Sequence, residues 1–137
     1  MIAYLDSSVI LRILFQEKSP LKSFSTIKRS VSSRLLRTEC FRTVDRHRLK
    51  NKLSSRDFLQ HLQWLDRLLE TVALIEITPS ILQHAAQSLP VPLGTLDSIH
   101  LSTCLGYQEM AGESVTLCSH DLQLLHAAQY MGLAVRG

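Results

Sequence analysis

The chain has 137 residues, of which 45% are hydrophobic and 20% charged, enough apolar material for the core of one domain over residues 1–137. It has no run of about 18 apolar residues and no basic leader ahead of an apolar segment, so we expect neither a membrane-spanning helix nor a secretion signal. The formal net charge of +3 conceals an asymmetry, because residues 1–56 carry 13 of the 15 Lys and Arg, whereas residues 57–137 carry eight of the 12 acids. The basic half indicates a polyanionic partner.

The predicted elements are short apolar strands that alternate with amphipathic helices. In the first part of the chain we predict a strand over 2–5, a helix from Ser7, a short helix over about 20–28, a strand at Val31, a helix capped by Ser32-Ser33 that runs to about Leu49, and a helix capped at Ser54. In the middle we predict a strand over 72–77, a helix capped by Thr78 that runs to about Ser88, and a helix capped by Thr95. At the end we predict a strand over 115–118, a helix opened by Asp121 and closed near Gly132, and a strand over 133–135. This alternation is typical of an α/β fold whose parallel sheet is covered by helices on both faces.

The cysteines and histidines argue against disulfides and zinc. Cys40, Cys104 and Cys118 are odd in number, lie in apolar contexts and form no CxxC pair. We therefore predict buried free thiols in a reducing cytoplasm. The six histidines form no HExxH or clustered Cys/His pattern, which disfavours a zinc site.

Four acids stand just after predicted strands or in the first turns of the helices that follow them, namely Asp6, Glu39, Asp97 and Asp121. In open α/β sheets, ligands bind beyond the carboxyl ends of the strands. Carboxylates that converge there repel one another and need a compensating cation, and the hard ions Mg²⁺ and Mn²⁺ prefer oxygen ligands. Such ions activate a water molecule and stabilise the leaving oxygen of a phosphodiester.

Each of these acids also has a purely structural interpretation. Asp121 is a plausible N-cap, and Asp97 lies where an acid interacts favourably with the helix dipole. Glu39 has Arg42 and Arg46 on its own helix face, at i+3 and i+7, and could simply pair with them. Asp6, directly after a buried apolar run, is the hardest to explain structurally.

Two histidines flank these acids in sequence. His100 and His120 are more readily interpreted as core or solvated residues than as parts of a site.

Four segments together resemble the motifs of PIN-domain nucleases. Tyr4–Ile10 resembles the opening motif, an apolar strand followed by Asp-[Thr/Ser]-[Ser/Asn], and Arg37–Arg42 resembles the second, Glu-x-x-Arg. Leu96–Cys104 resembles the third, with Ser102 and Cys104 where small Ala residues are usual, and Val115–Asp121 resembles the fourth, [Thr/Ser]-x-Asp after a strand. The resemblance extends in order from about residue 2 to 135, and among small PIN domains it points to the VapC-type toxins of toxin–antitoxin pairs.

The resemblance implies a three-layer α/β/α PIN-like fold and a Mg²⁺- or Mn²⁺-dependent endoribonuclease. Asp6, Glu39 and Asp97 would be the metal ligands, and Asp121 would complete the site directly or through water. Toxins of this type commonly cut tRNA or ribosomal RNA, usually form homodimers, and are silenced by a small antitoxin protein whose tail enters the active site.

Four further residues are assigned supporting roles. By resemblance, Ser8 would hydrogen-bond the Asp6 carboxylate and Ser119 would support the fourth acidic position. If Glu39 points into the site, Arg42 and Arg46 border it and could bind RNA phosphates, or they could pair within their helix.

Two alternatives stay open at this point. The chain could be a PIN nuclease of RNA processing, or a catalytically silent PIN-like domain that binds RNA or protein.

Overall fold

Strands and helices alternate along residues 1–22, 24–50 and 52–137, which the computed structural model of the chain describes. The elements are β1 (Ile2–Leu5), α1 (Ser7–Leu14), a 3₁₀ helix (Phe24–Thr26), β2 (Arg29–Ser33), α2 (Leu35–Leu49), α3 (Ser55–Leu69), β3 (Val72–Ile75), α4 (Pro79–Ala85), α5 (Thr95–Ala111), β4 (Val115–Cys118), α6 (Leu122–Tyr130) and β5 (Ala134–Arg136).

The strands form one parallel sheet in the order β3-β2-β1-β4-β5. The chain builds β1, β2 and β3 outward in one direction and then returns to place β4 on the other side of β1. The strand order therefore reverses between β1 and β4, and the crevice at such a point is where open parallel sheets bind ligands. The predicted parallel α/β architecture is confirmed, and it locates the ends of β1 and β4 as the place to look for a site.

Two apolar layers lie on opposite faces of the sheet. Ile2 and Tyr4 of β1 pack with core residues of α5 and α6, whereas Ala3 and Leu5 pack with core residues of α1, α2 and α3. This alternation follows from the two-residue period of a strand. Helices therefore cover both faces of a fully buried central strand, which is the predicted three-layer arrangement.

The prediction of a helix over about 20–28 is wrong in the described residues. They contain only the 3₁₀ helix, and the part of the prediction at Ser23 lies outside them. Serine and threonine hydroxyls favour non-helical backbone by competing for its hydrogen bonds, and Ser25 and Thr26 are two of the three residues of this 3₁₀ helix. The chain then enters β2, where the Lys28 N–H donates to the Met1 carbonyl over 2.9 Å.

Two predicted helix starts are shifted by one residue. The N-cap of α5 is Gly94, since its carbonyl already accepts from the Ser98 N–H at 2.9 Å, and Thr95 lies inside the helix. The N-cap position of α2 is Arg34, although the Ser33 hydroxyl accepts from the Leu35 N–H. The sequence pattern located both helices but not their first residues.

Two elements end earlier than predicted. The strand over 72–77 stops at Ile75, and the helix begun by Pro79 stops at Ala85 rather than near Ser88. The N-cap between them is as predicted, with the Thr78 hydroxyl accepting from the Ile81 N–H.

The C-terminus of α6 near Gly132 is also as predicted. Gly132 has a φ of 82°, and the Leu133 N–H donates to the Ala128 carbonyl, a pairing typical of helices that end in a left-handed glycine.

The three cysteines are buried free thiols, as predicted. In the part of the chain that the structure describes, no helix combines the length and apolar character needed to cross a membrane.

Candidate active site

Asp6 is held at the end of β1 by hydrogen bonds that converge on one carboxylate oxygen. Its Oδ2 accepts from the Ser8 N–H at 3.2 Å, the Ser8 hydroxyl at 2.5 Å and the Ser119 hydroxyl at 2.8 Å. The residue is 5% exposed, and its side chain also caps α1. Three donors on one oxygen fix the orientation of the carboxylate before any ligand arrives.

The same hydroxyls tie the segment after β4 to the start of α1. The Ser119 hydroxyl accepts from the Asp121 N–H at 2.9 Å, and the Ser8 hydroxyl accepts from the His120 N–H at 2.9 Å. Ser8 and Ser119, which the sequence resemblance placed beside the acids, thus bridge the crevice between β1 and β4. Their network links Asp6 to the backbone that positions Asp121.

Glu39 extends from α2 to a histidine on α5. His100 Nε2 lies 2.7 Å from Glu39 Oε2, and His100 Nδ1 lies 2.8 Å from the Tyr4 hydroxyl. The His100 side chain is fully buried, and that of Glu39 is 17% exposed. The pair therefore joins α5 to α2 beneath the surface of the crevice.

Sequence reasoning left His100 without a role. The signal that could have found it is its position three residues after Asp97, one helical turn further along α5, which puts both on one helix face.

The pKa of His100 is raised by its surroundings. Burial by itself lowers the pKa, but the hydrogen bond to Glu39 and the charges of Glu39 and Asp6 outweigh it.

Asp6, Glu39 and His100 form the most compact group of candidate ligands in the described residues. One ligand atom from each lies within 4.8 Å of the other two. Neither Asp97 nor Asp121 belongs to this group. The carboxylates of buried Asp6 and partly buried Glu39, which lie beside hydroxyl and imidazole groups, are suited to a hard divalent cation.

Asp97 lies close enough to the other acids for their charges to affect its pKa. It occupies the first turn of α5 and is half-buried. Burial, and then the charges of Asp121, Asp6 and Glu39, raise its pKa to about 6, although His100 opposes the shift. The charges of the other three predicted acids therefore all act on Asp97 at this end of the sheet.

Asp121 has the capping role that its sequence position suggested. Its Oδ1 accepts from the Gln123 and Leu124 N–H groups at 2.8 and 3.0 Å, and the residue is exposed at the rim. Capping does not remove it from the site, because its charge contributes to the raised pKa of Asp97.

Arg42 and Arg46 make contacts within α2. Arg42 Nη1 lies 2.9 Å from Asp45 Oδ2, and Arg46 Nη2 donates to the Thr43 hydroxyl at 3.0 Å. In the described residues the ion-pair partner of Glu39 is His100, so the arginines do not pair with Glu39. Arg46 hydrogen-bonds a neutral hydroxyl, whereas the charge of Arg42 is offset by Asp45.

The sequence of this chain is similar to a known protein family and to a named relative. The family model described as "PIN domain" matches residues 3–128, a span that contains all four acids. Ribonuclease VapC46 of Mycobacterium tuberculosis is 30% identical over 135 residues, covering 96% of this chain and 94% of that protein.

Two solved structures share the fold. The crystal structure of VapBC2 from Rickettsia felis bound to a DNA fragment from their promoter matches with a TM-score of 0.68 and 13% identity, over 99% of this chain and 98% of that one. The structure of VapBC-1 from nontypeable Haemophilus influenzae matches with a TM-score of 0.65 and 16% identity, over 99% and 97%. At these identities the likeness concerns the fold, and it confirms the predicted three-layer architecture.

The raised pKa of Asp97 predicts that Asp97→Asn stabilises the metal-free protein. A carboxyl whose folded pKa exceeds its unfolded pKa destabilises the fold above the folded pKa, and this cost disappears as the pH falls below the unfolded value. Because Asp97 is half-exposed, we expect a gain of only about 1 kcal/mol in the free energy of unfolding above about pH 7. The gain should shrink between about pH 6 and pH 4, as measured by urea denaturation with a chelator present.

The matched control is Asp57→Asn. Asp57 occupies the same third position of its helix, α3, but it is exposed, whereas Asp97 is half-buried beside other acids. Removing its favourable interaction with the helix dipole should leave stability unchanged or lower it by up to about 0.5 kcal/mol. Equal effects of the two substitutions would contradict the clustering of charge around Asp97.

Proposed function

The chain belongs to the PIN domain family, and from that premise we propose that it is an endoribonuclease that hydrolyses RNA phosphodiester bonds with the help of Mg²⁺ or Mn²⁺. The observation that carries the proposal is the approach of Asp6 and Glu39 at the β1–β4 crevice, where a carboxylate oxygen of each and a ring nitrogen of His100 lie within 4.8 Å of one another. The relative named Ribonuclease VapC46 supports the same activity. We further propose that residues 1–137 form a single domain, since both apolar layers pack on one sheet.

The donor chemistry of the crevice fits a hard divalent ion. We propose that Asp6, Glu39 and Asp97 hold it and that Asp121 completes the site from the rim, directly or through water. Burial and the charges of the neighbouring acids raise the pKa of Asp97, and a cation would offset this cost. When bound, such an ion supplies an activated water and stabilises charge on the leaving oxygen.

The chain's own residues orient the reacting groups. Ser8 and Ser119 hold the Asp6 carboxylate through Oδ2, so its orientation does not have to be established at the moment of reaction. The Ser119 hydroxyl also fixes the backbone N–H of Asp121 and thereby the start of α6. These contacts support a site that is formed in advance of substrate binding.

The substrate proposed is RNA, and structured RNA such as tRNA or ribosomal RNA in particular. The excess of Lys and Arg in residues 1–56 suits a polyanion. We propose that Arg46, and secondarily Arg42, contact RNA phosphates beside the site, since both lie on the face of α2 that carries Glu39. Such contacts provide affinity without sequence choice.

The biological role proposed is that of a toxin in a toxin–antitoxin pair, acting in the cytoplasm. We propose that a small antitoxin protein covers the groove of about 600 Å³ between α1 and α3, whose lining includes Ile13, Pro20, Leu21 and Trp64. Apolar grooves of this kind accept the apolar face of a partner helix. We also propose a homodimer, which light scattering should report as twice the mass of the chain, whereas the mass of one chain would contradict it.

Loss of cleavage is the first test of this function. Asp6→Asn and Asp97→Asn keep the size of each side chain but remove the charge that the cation requires, so we expect at least a 100-fold loss of RNA cleavage with Mn²⁺. New RNA 5′ ends mapped after inducing the wild type and Asp6→Asn in parallel should show one recurrent cut that the variant lacks. Growth should arrest with the wild type alone.

The controls separate the remaining alternatives. Asp57→Asn, far from the cluster in sequence and on α3, should cut like the wild type. Recurrent cleavage without growth arrest would indicate a processing nuclease. The nuclease proposal would be refuted if wild type and Asp6→Asn gave identical 5′ ends and calorimetry showed no Mn²⁺ binding. The chain would then be a catalytically silent binding domain.

Removing one arginine tests the phosphate contacts. Arg46→Gln should weaken RNA binding uniformly across sequences and reduce the slope of log affinity against log salt by about 1, because one phosphate contact is lost. Arg37→Gln is the matched control, since Arg37 lies on α2 but pairs with Asp66 and stacks on Phe41. If both variants had the same slope of log affinity against log salt, Arg46 would contribute only to the net charge and would not contact a phosphate.

A charge placed in the groove tests the antitoxin surface. Ile13→Lys should leave RNA cleavage by the free protein intact but prevent the cognate antitoxin from restoring growth, because a lysine would be desolvated at the contact. Leu82→Lys, at an exposed position of α4, is the control and should remain neutralised. Full neutralisation of Ile13→Lys would place the antitoxin elsewhere.

A further inference from the structure

We propose that His100 is a positioning residue that holds Glu39 in the geometry required to bind the divalent ion, and that Tyr4 orients His100 for this purpose. The inference rests on the proposed metal site, but it assigns a role to two residues outside the four acids. It starts from a buried chain of hydrogen bonds that runs from the central strand to the crevice.

The chain of hydrogen bonds begins on β2 and ends on α2. The Ser33 N–H donates to the Tyr4 oxygen at 3.1 Å, the Tyr4 hydroxyl lies 2.8 Å from His100 Nδ1, and His100 Nε2 lies 2.7 Å from Glu39 Oε2. Tyr4 and His100 are fully buried and meet edge to face, with ring centroids 5.8 Å apart. Neither ring has room to adopt another orientation without disrupting the core.

The groups at the two ends of this series of hydrogen bonds indicate which atoms donate and which accept. The Ser33 N–H can only donate, so the Tyr4 oxygen accepts there, and the Tyr4 hydroxyl donates to Nδ1 whenever Nδ1 carries no hydrogen. At the other end, an unprotonated Nε2 would present its lone pair to a carboxylate. Nε2 therefore carries hydrogen and donates to Glu39, whether or not Nδ1 is also protonated.

This donation has a consequence for the metal site. It uses one lone pair of Glu39 Oε2 and leaves Oε1 and the remaining lone pair of Oε2 available to a cation. A carboxylate that ligates a metal is commonly oriented by a hydrogen bond of this kind, and removal of such a partner typically costs 10–100-fold in metal affinity.

A purely structural role does not account for the arrangement. A buried core histidine needs partners, but pairing it with an acid at the edge of the crevice places a charged group next to Asp6 and Asp97, where a neutral acceptor would suffice. The donor also reaches Glu39 from α5, the helix that carries Asp97 one turn earlier. One helix thus positions a ligand of its own and a ligand from α2.

The test measures Mn²⁺ affinity of the full chain by EPR, alongside RNA cleavage and urea denaturation. His100→Leu should lower the affinity 10–100-fold, and His100→Gln, whose amide N–H can reach Glu39, should recover most of it. Tyr4→Phe, which keeps the ring but loses the hydroxyl, should lower it several-fold. Leu65→Ala, a buried residue of α3 in the opposite apolar layer, should lower stability without changing affinity.

Each outcome decides the inference. It is overturned if the His100 variants bind Mn²⁺ as tightly as the wild type, or if Leu65→Ala weakens binding as much as His100→Leu does. It is also overturned, in favour of a direct ligand, if pulsed EPR shows strong nitrogen coupling from His100 to the bound ion. Binding by the wild type that does not depend on Asp6 would instead refute the metal site itself, and this inference with it.

Discussion

Mutual repulsion of carboxylates is the constraint on which the site depends. Asp6, Glu39 and Asp97 gather where solvent screening is reduced, and burial together with the charges of the neighbouring acids raises the pKa of Asp97 to about 6. The fold offsets part of this cost with donors, namely two serine hydroxyls on Asp6 and the imidazole of His100 on Glu39. These donors do not neutralise all the negative charge of the carboxylates, and a divalent cation would balance the remainder.

The order of the strands determines which parts of the chain meet at this point. Asp6 and Glu39 come from the basic residues 1–56, while Asp97 and Asp121 come from the acidic residues 57–137. They meet because β4 returns to lie beside β1 after β2 and β3 have extended the sheet the other way. The crevice at this reversal therefore takes two acids from the basic half of the chain and two from the acidic half.

Two of the acids proposed for the site also cap helices. Asp6 caps α1 and Asp121 caps α6, so both carboxylates satisfy helix N–H groups. The two sequence interpretations of these acids are thus compatible, because a carboxylate has two oxygens and one is enough for the cap. Tyr4 also has two roles, because its ring packs in the core and its hydroxyl orients His100.

The sequence by itself determined the approximate places of the strands and most helices and the three-layer class, and it proposed the four acids, because each rests on local patterns such as apolar runs, N-caps and motif spacing. Only the tertiary structure decided that Glu39 pairs with His100 rather than with Arg42 or Arg46, and that the segment 20–28 holds only a 3₁₀ helix among its described residues. These outcomes depend on which helix packs beside which, since His100 and Glu39 are 61 residues apart. No local pattern carries that information.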